Sequence, residues 1–184
     1  NVLHRSQIER AYLKAIGLAR HQVLIANAYF LPGRRLRQAL VHAARRGVRV
    51  RLLLQGRYEY FMQYHAARPV YGTLMAAGVE IYEYNASFLH AKVAVVDPDH
   101  ERPWATVGSS NLDPLSLLLA REANVVVADR LFAQQLHQRL NQVIDAQSTR
   151  ISATLSQRHW HQRWRDRLAF GLMRLALFLT GHRY

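Results

Sequence analysis

"FLHAKVAVVD", residues 88–97, decides how the rest of the chain is read. Ala91, Val93, Ala94, Val95 and Val96 give it the composition of a buried strand. Yet His90 and Lys92 stand two residues apart near its start, and Asp97 closes it. Side chains at i and i+2 of a strand point to the same side. His90 and Lys92 therefore share a face, whereas Asp97 has the opposite parity and reads as supporting structure near the strand end. Taken alone, the spacing fits a core histidine beside an edge lysine. Two cationic side chains on one face are also tolerated where that face is a polar anion pocket.

The segment one strand later favours the pocket. "GSSNLD", residues 108–113, follows "WATV". Gly108 allows close approach of backbones, and Ser109 and Asn111 offer neutral donors on a shared face. Two antiparallel neighbours would bring His90, Lys92, Ser109 and Asn111 to one phosphate. A lysine supplies a point charge with three donors, and a histidine serves as nucleophile or general acid near neutral pH.

Outward from this pair, the chain alternates strands and helices. Helices are expected over 6–20, with Ser6 and Glu9 as a capping box, over 33–47 and over 69–78. Strands are expected over 22–28, 48–55 and 79–84. A meander follows: strands over 91–97, 104–110 and 122–129, then an amphipathic helix over 130–147. This is an α/β fold, a mixed sheet with helices on both faces. Residues 148–157 read as a linker.

The formal net charge is +13, from 25 basic and 12 acidic residues. Anionic partners are favoured: nucleic acid, anionic lipid or phosphate-bearing metabolites. Of the basic residues only Lys14 and Lys92 are lysines. The absence of Cys excludes disulfides and thiolate chemistry. No histidine forms a metal-ligand spacing with a carboxylate, so neither a metal nor a cofactor is expected. The first residue is Asn, which suits a fragment or a processed chain.

At His90, Lys92, Asp97, Gly108, Ser109 and Asn111 the sequence resembles the phospholipase D superfamily. "HAKVAVVD" matches its His-x-Lys-x4-Asp signature and "GSSNLD" the downstream partner. Ten residues separate Asp97 from Gly108 where six are usual, and a longer turn at "PDHERP" accommodates them. Within the superfamily, "YFLPG", "FLHAKVAVVD" and "GSSNLDPLSLLLAREANVVV" look like the C-terminal half of bacterial cardiolipin synthases of the B type. The resemblance covers most of residues 1–147 and implies a phospholipase D-like catalytic lobe there.

It implies a site built from two such motifs. One histidine attacks phosphorus to form a phosphohistidine and the other protonates the leaving alkoxide, without metal. Carried over, His90, Lys92 and Asp97 make up the catalytic set, Lys92 and Asn111 bind phosphate with Ser109 in support, and Glu122 matches an acidic residue that orients a motif histidine. Tyr12 stands two residues before Lys14, so a second motif is missing. An N-terminal lobe or a second copy of the chain is expected to supply it. In two-lobed relatives the first-motif histidine is usually the nucleophile, which makes His90 the general acid.

Residues 148–184 are expected to form a linker and a basic amphipathic tail. The apolar stretch 168–179 reaches only ~18 Å as a helix, short of the ~30 Å hydrocarbon core. A helix lying in the membrane interface fits its Arg and Trp content, and a helix docked on the domain is the plainer alternative. The expected function is phosphatidyl transfer that makes cardiolipin from phosphatidylglycerol and a second phospholipid or alcohol. The expected location is peripheral, on the cytoplasmic face of the inner membrane. A homodimeric nuclease or a non-catalytic anionic-lipid-binding half-domain are the rivals; the apolar tail argues against nucleic acid. Tyr29 and Phe30 would meet lipid or cap the core, with Arg34 and Arg35 nearby. Tyr58, Tyr60, Phe61 and Tyr64 would line a lipid- or lobe-facing surface or lie in the core.

Overall fold

A computed structural model describes residues 7–57, 61–113, 116–117, 121–151, 164, 168 and 171, with residues 61–66 as backbone only. Among the described residues the elements follow in order: α1 (Gln7–Leu18), β1 (Gln22–Asn27), α2 (Arg34–Arg45), β2 (Arg49–Gln55), α3 (Phe61–Ala76), β3 (Glu80–Tyr84), β4 (Lys92–Val96), β5 (Trp104–Gly108), β6 (Asn124–Val127), α4 (Arg130–Gln147) and β7 (Ser148–Arg150). The strands form a mixed sheet ordered β6-β5-β4-β1-β2-β3-β7. β1, β2 and β3 are parallel, while β4, β5, β6 and β7 each run antiparallel to the neighbour they join.

The core divides by strand parity. Val23, Ile25, Val50, Leu52, Leu54, Ala94 and Val96 pack against α1, α2 and α3 through residues such as Ile16, Leu36 and Leu74. Leu24, Ala26, Leu53, Val95 and Ala105 pack against Ala133, Leu140 and Ile144 of α4 on the other side. Covering both faces explains why β1 and β2 are nearly continuous apolar runs. Gly47 and Gly78, at φ +88° and +95°, terminate α2 and α3 in a region open to glycine.

The elements follow the sequence reading except at two places. α3 begins well before Pro69, the residue expected near its start, and Pro69 lies inside the helix. Tertiary contacts hold this turn: buried Arg68 pairs with Glu83 at 2.6 Å and lies 5.4 Å from the Tyr71 ring. Residues 148–150, read as the start of a linker, instead form β7, which covers the edge of β3 with Tyr82 opposite Arg150. A polar tripeptide carries too little pattern to register as a strand. The edge of β3 supplies its pairing.

The tail beyond residue 151 lies almost wholly outside the described residues, as do the side chains of Tyr58, Tyr60, Phe61 and Tyr64. Trp164 and Leu168 are described as helical, and both side chains are exposed. Among the described residues no helix is long and apolar enough to cross a membrane.

Candidate active site

The carboxyl ends of β1, β2 and β3, the start of β4, the end of β5 and the start of β6 meet at one edge of the sheet. In open α/β sheets ligands bind outside the carboxyl ends of the strands. His90 lies in the loop entering this edge, two residues before β4, and is exposed. Its imidazole is thus not packed among aliphatic side chains. Lys92, the first residue of β4, is buried, with Nζ donating to the His90 carbonyl at 3.2 Å.

The loop that carries His90 is tied to β2. Gln55 Oε1 accepts from Leu89 N at 3.3 Å. Arg57 donates to the carbonyls of Asn85 and Ala86 at 3.1 and 2.7 Å, and its guanidinium lies 5.8 Å from the Phe88 ring. Gly56 is needed there because a Cβ would overlap the Tyr84 carbonyl and Asn85.

Asn111 is buried, and its Oδ1 accepts from Tyr29 N at 3.3 Å. Committing the oxygen to a backbone N–H leaves the Asn111 NH2 as a donor. The same junction carries the reciprocal bond, Leu112 N to Asn27 Oδ1 at 3.1 Å. Leu31 N also donates to the Leu112 carbonyl at 3.0 Å. Tyr29 is half-buried and Phe30 buried in the core, with Arg34 and Arg35 exposed at the start of α2. Phe30 therefore caps the core.

Gly108 ends β5 where a Cβ would overlap the Ala123 carbonyl and Asn124 Oδ1. The chain leaves the strand at Ser109, so alternation no longer places Ser109 and Asn111 on one face: Ser109 is exposed and Asn111 buried. The Ser109 hydroxyl donates to Glu122 Oε2 and accepts from Ala123 N at 3.1 Å. Glu122, two residues ahead of β6, is thereby joined to Ser109, and this pair fastens the end of β5 to the segment opening β6.

Asp97 lies at the other end of β4, away from His90 and Lys92. Its carboxylate accepts from the backbone N–H groups of Arg20, His21 and Gln22 at 2.7, 2.9 and 2.7 Å. Its φ of +45° turns the chain there. The structure therefore gathers Lys92, Asn111 and the exposed His90 at one sheet edge, with Ser109 and Glu122 at its β5–β6 flank and Asp97 outside it. The sequence reading passed over Asn27, Gln55 and Arg57. The available signal was a polar residue closing an apolar strand, Asn27 in "QVLIAN" and Gln55 in "RVRLLLQ".

Known proteins share this arrangement of elements. The family described as cardiolipin synthase, phospholipase D-like domain, matches residues 12–144. The chain belongs to that family. Cardiolipin synthase B of Escherichia coli K12 is 49% identical over 182 residues, which cover 98% of this chain and 43% of that relative. The minor cardiolipin synthase ClsB of Bacillus subtilis is 29% identical over 156 residues, 85% of this chain and 38% of the relative. The chain thus spans less than half the length of these cardiolipin synthases.

Among solved structures, the phosphatidylserine synthase of Haemophilus influenzae superposes with a TM-score of 0.68 at 14% identity, covering 92% of this chain and 43% of that one. The phospholipase D family member Nuc of Salmonella typhimurium superposes with a TM-score of 0.66 at 21% identity, covering 79% and 91%. At these identities the two establish the phospholipase D-like fold of the cardiolipin synthase domain.

Proposed function

We propose that this chain supplies one half of the active site of a phosphatidyltransferase that makes cardiolipin. The observation that carries the reading is the meeting of an exposed His90, Lys92 and the Asn111 carboxamide at one sheet edge, in a chain 49% identical to a cardiolipin synthase B. Lys92 and Asn111 hold the non-bridging oxygens of a phosphodiester, and preorganised donors stabilise charge that develops on them. Ser109 and Glu122 keep the β5–β6 flank in place, and Asp97 fixes the far end of β4.

The chemistry requires a second histidine. That group attacks the phosphorus of phosphatidylglycerol through a ring nitrogen, and a P–N bond forms as the P–O bond to the leaving glycerol breaks. His90, protonated, gives its proton to the departing alkoxide. The neutral His90 then takes the proton of an acceptor hydroxyl as that oxygen attacks phosphorus, and the P–N bond breaks. Only Lys14 and Lys92 are lysines, so the second His-x-Lys pair comes from an N-terminal lobe or a second copy. The isolated chain turns over only as a dimer. Exposed Val125, Val126 and Val107 on β5 and β6 offer such a partner an apolar edge. The basic charge and the exposed Trp164 and Leu168 support peripheral binding to an anionic membrane, the cytoplasmic face being the expected side.

The test is lipid analysis of a cardiolipin-deficient bacterial host that expresses the gene encoding this chain, with and without His90→Ala. Cardiolipin that depends on His90 is expected. DNA cleavage by the purified protein without lipid turnover would replace the reading with a nuclease, and lipid binding without His90-dependent turnover would reduce it to a binding module.

A further inference from the structure

The loop that enters β4 holds Phe88 out in solvent, two residues ahead of His90. Phe88 is 58% exposed, and residues 85–88 and His90 are all exposed. The loop is nevertheless braced. Arg57 Nε donates to the Asn85 carbonyl at 3.1 Å and Nη2 to the Ala86 carbonyl at 2.7 Å. On the other side of Phe88, Leu89 N donates to Gln55 Oε1 at 3.3 Å. Both flanks of the ring are thus tied to the end of β2.

A single exposed ring carries no meaning alone; its neighbours give this one a partner. The Arg57 guanidinium lies 5.8 Å from the ring centre. Its two carbonyl bonds use two of five N–H groups, and the side chain is exposed, so donors remain for a phosphate. An apolar ring, a cation beside it and a histidine on the same loop match what a phospholipid surface presents: acyl chains next to a phosphodiester. The net charge of +13 suits an anionic surface. A protein partner fits less well. Asn85, Ala86 and Ser87 surround the ring with small or polar groups, whereas the core of a protein interface needs contiguous apolar area. Val107, Val125 and Val126 offer that elsewhere, on β5 and β6.

We propose that the loop 85–90 is the membrane contact of the active-site edge. Phe88 inserts among the acyl chains of an anionic bilayer, and Arg57 binds a lipid phosphate beside it. His90 thereby meets its substrate while the lipid stays in the membrane. The bracing by Arg57 and Gln55 keeps the ring and the imidazole in a fixed relation during insertion. This inference rests on reading His90 as acting on a phospholipid.

The chain has no Cys, so Ala86→Cys carries a single polarity-sensitive nitrobenzoxadiazole label on the loop. Glu101→Cys carries the same label in the β4–β5 turn, at the opposite end of the sheet. Both positions are exposed. The 184-residue chain is mixed with vesicles of phosphatidylglycerol and phosphatidylcholine in equal parts. The Ala86→Cys label is expected to shift to the blue and to be quenched by lipids spin-labelled high on the acyl chain, while the Glu101→Cys label stays in water. Phe88→Ala is expected to weaken vesicle binding about tenfold. Phe88→Trp restores it, and neither variant moves the melting temperature, because the ring is exposed. Binding by Phe88→Ala within about twofold of the parent, or a loop label that stays wet on bound vesicles, overturns the proposal. A blue shift that needs no lipid and grows with protein concentration also overturns it, in favour of a second copy covering the loop. None of these failures touches the phosphatidyltransferase reading, which is judged separately by whether cardiolipin formation depends on His90.

Discussion

β4 carries a buried charged residue near each of its ends, and the two are treated differently. Asp97, just past the last residue, is held by three backbone N–H groups at 2.7 to 2.9 Å. Those bonds use a carboxylate's acceptor capacity for joining β4 to β1, and nothing in the arrangement awaits a ligand. At the first residue, Lys92 donates to the His90 carbonyl at 3.2 Å and faces an asparagine whose NH2 has no acceptor. Burial of charge therefore does not mark function by itself. The separating feature is placement: Asp97 is enclosed by the backbone amides that precede and open β1, whereas Lys92 stands where the exposed His90 and the Asn111 segment also meet.

The contrast breaks first at His90. His90→Ala should lower cardiolipin formation about a thousandfold, the scale of a lost general acid. Its melting temperature should stay near that of the parent, because the imidazole is exposed. Lipid analysis beside thermal unfolding checks both halves, and a collapse in stability would make His90 structural. The opposite outcome is expected at the other end. Asp97→Ala orphans three N–H groups and should cost about 3 kcal/mol in urea unfolding, with the affinity of the folded protein for dihexanoyl-phosphatidylglycerol unchanged.

Gly108→Ala tests whether the β5–β6 flank is held by packing. A Cβ would meet the Ala123 carbonyl and Asn124, and the backbone must shift to admit it. A loss of roughly 2 kcal/mol is expected, with the Ser109–Glu122 bond loosened as seen by faster exchange of the Ala123 amide.

The smallest effect lies on the α4 face. Arg51 is buried beneath α4, where its guanidinium donates to Asn141 and to His137 Nε2, the latter at 3.0 Å. Burial and the nearby Arg51 charge push the His137 imidazole below its usual value of 6.5. The unfolded chain therefore binds this proton at higher pH than the folded one. The stability it contributes is complete above about pH 6.5 and is lost as pH falls through the folded value. Unfolding free energies should fall more steeply between pH 8 and 5 in the parent than in His137→Gln. Equal slopes would remove His137 from this account.

Much of this was legible in the residues. Periodicity placed β1 to β6, α1, α2 and α4 because burial on one or both faces imposes it directly on sequence. The need for Gly108 followed from close approach, whereas alternation did not extend to His90, which lies in the loop before β4 and is exposed while Lys92 is buried. The start of α3 and the strand β7 were not legible, since Arg68 meeting Glu83 and Arg150 lying opposite Tyr82 are contacts across long sequence separations. Ser109 was misplaced by extending alternation beyond the last strand residue.

By itself, then, the sequence determined an α/β sheet, a strand with Lys92 at its entry and His90 close ahead of it, and a chain with one such pair, because periodicity, residue chemistry and a count of two lysines are local properties. The tertiary structure alone decided that Asp97 is consumed by backbone amides, that Glu122 holds Ser109 and that Asn27 pairs with Lys92 across β1 and β4. Each of those depends on strand order and register, which bring together residues up to 77 positions apart, and no local pattern encodes which hydrogen bonds such neighbours will complete.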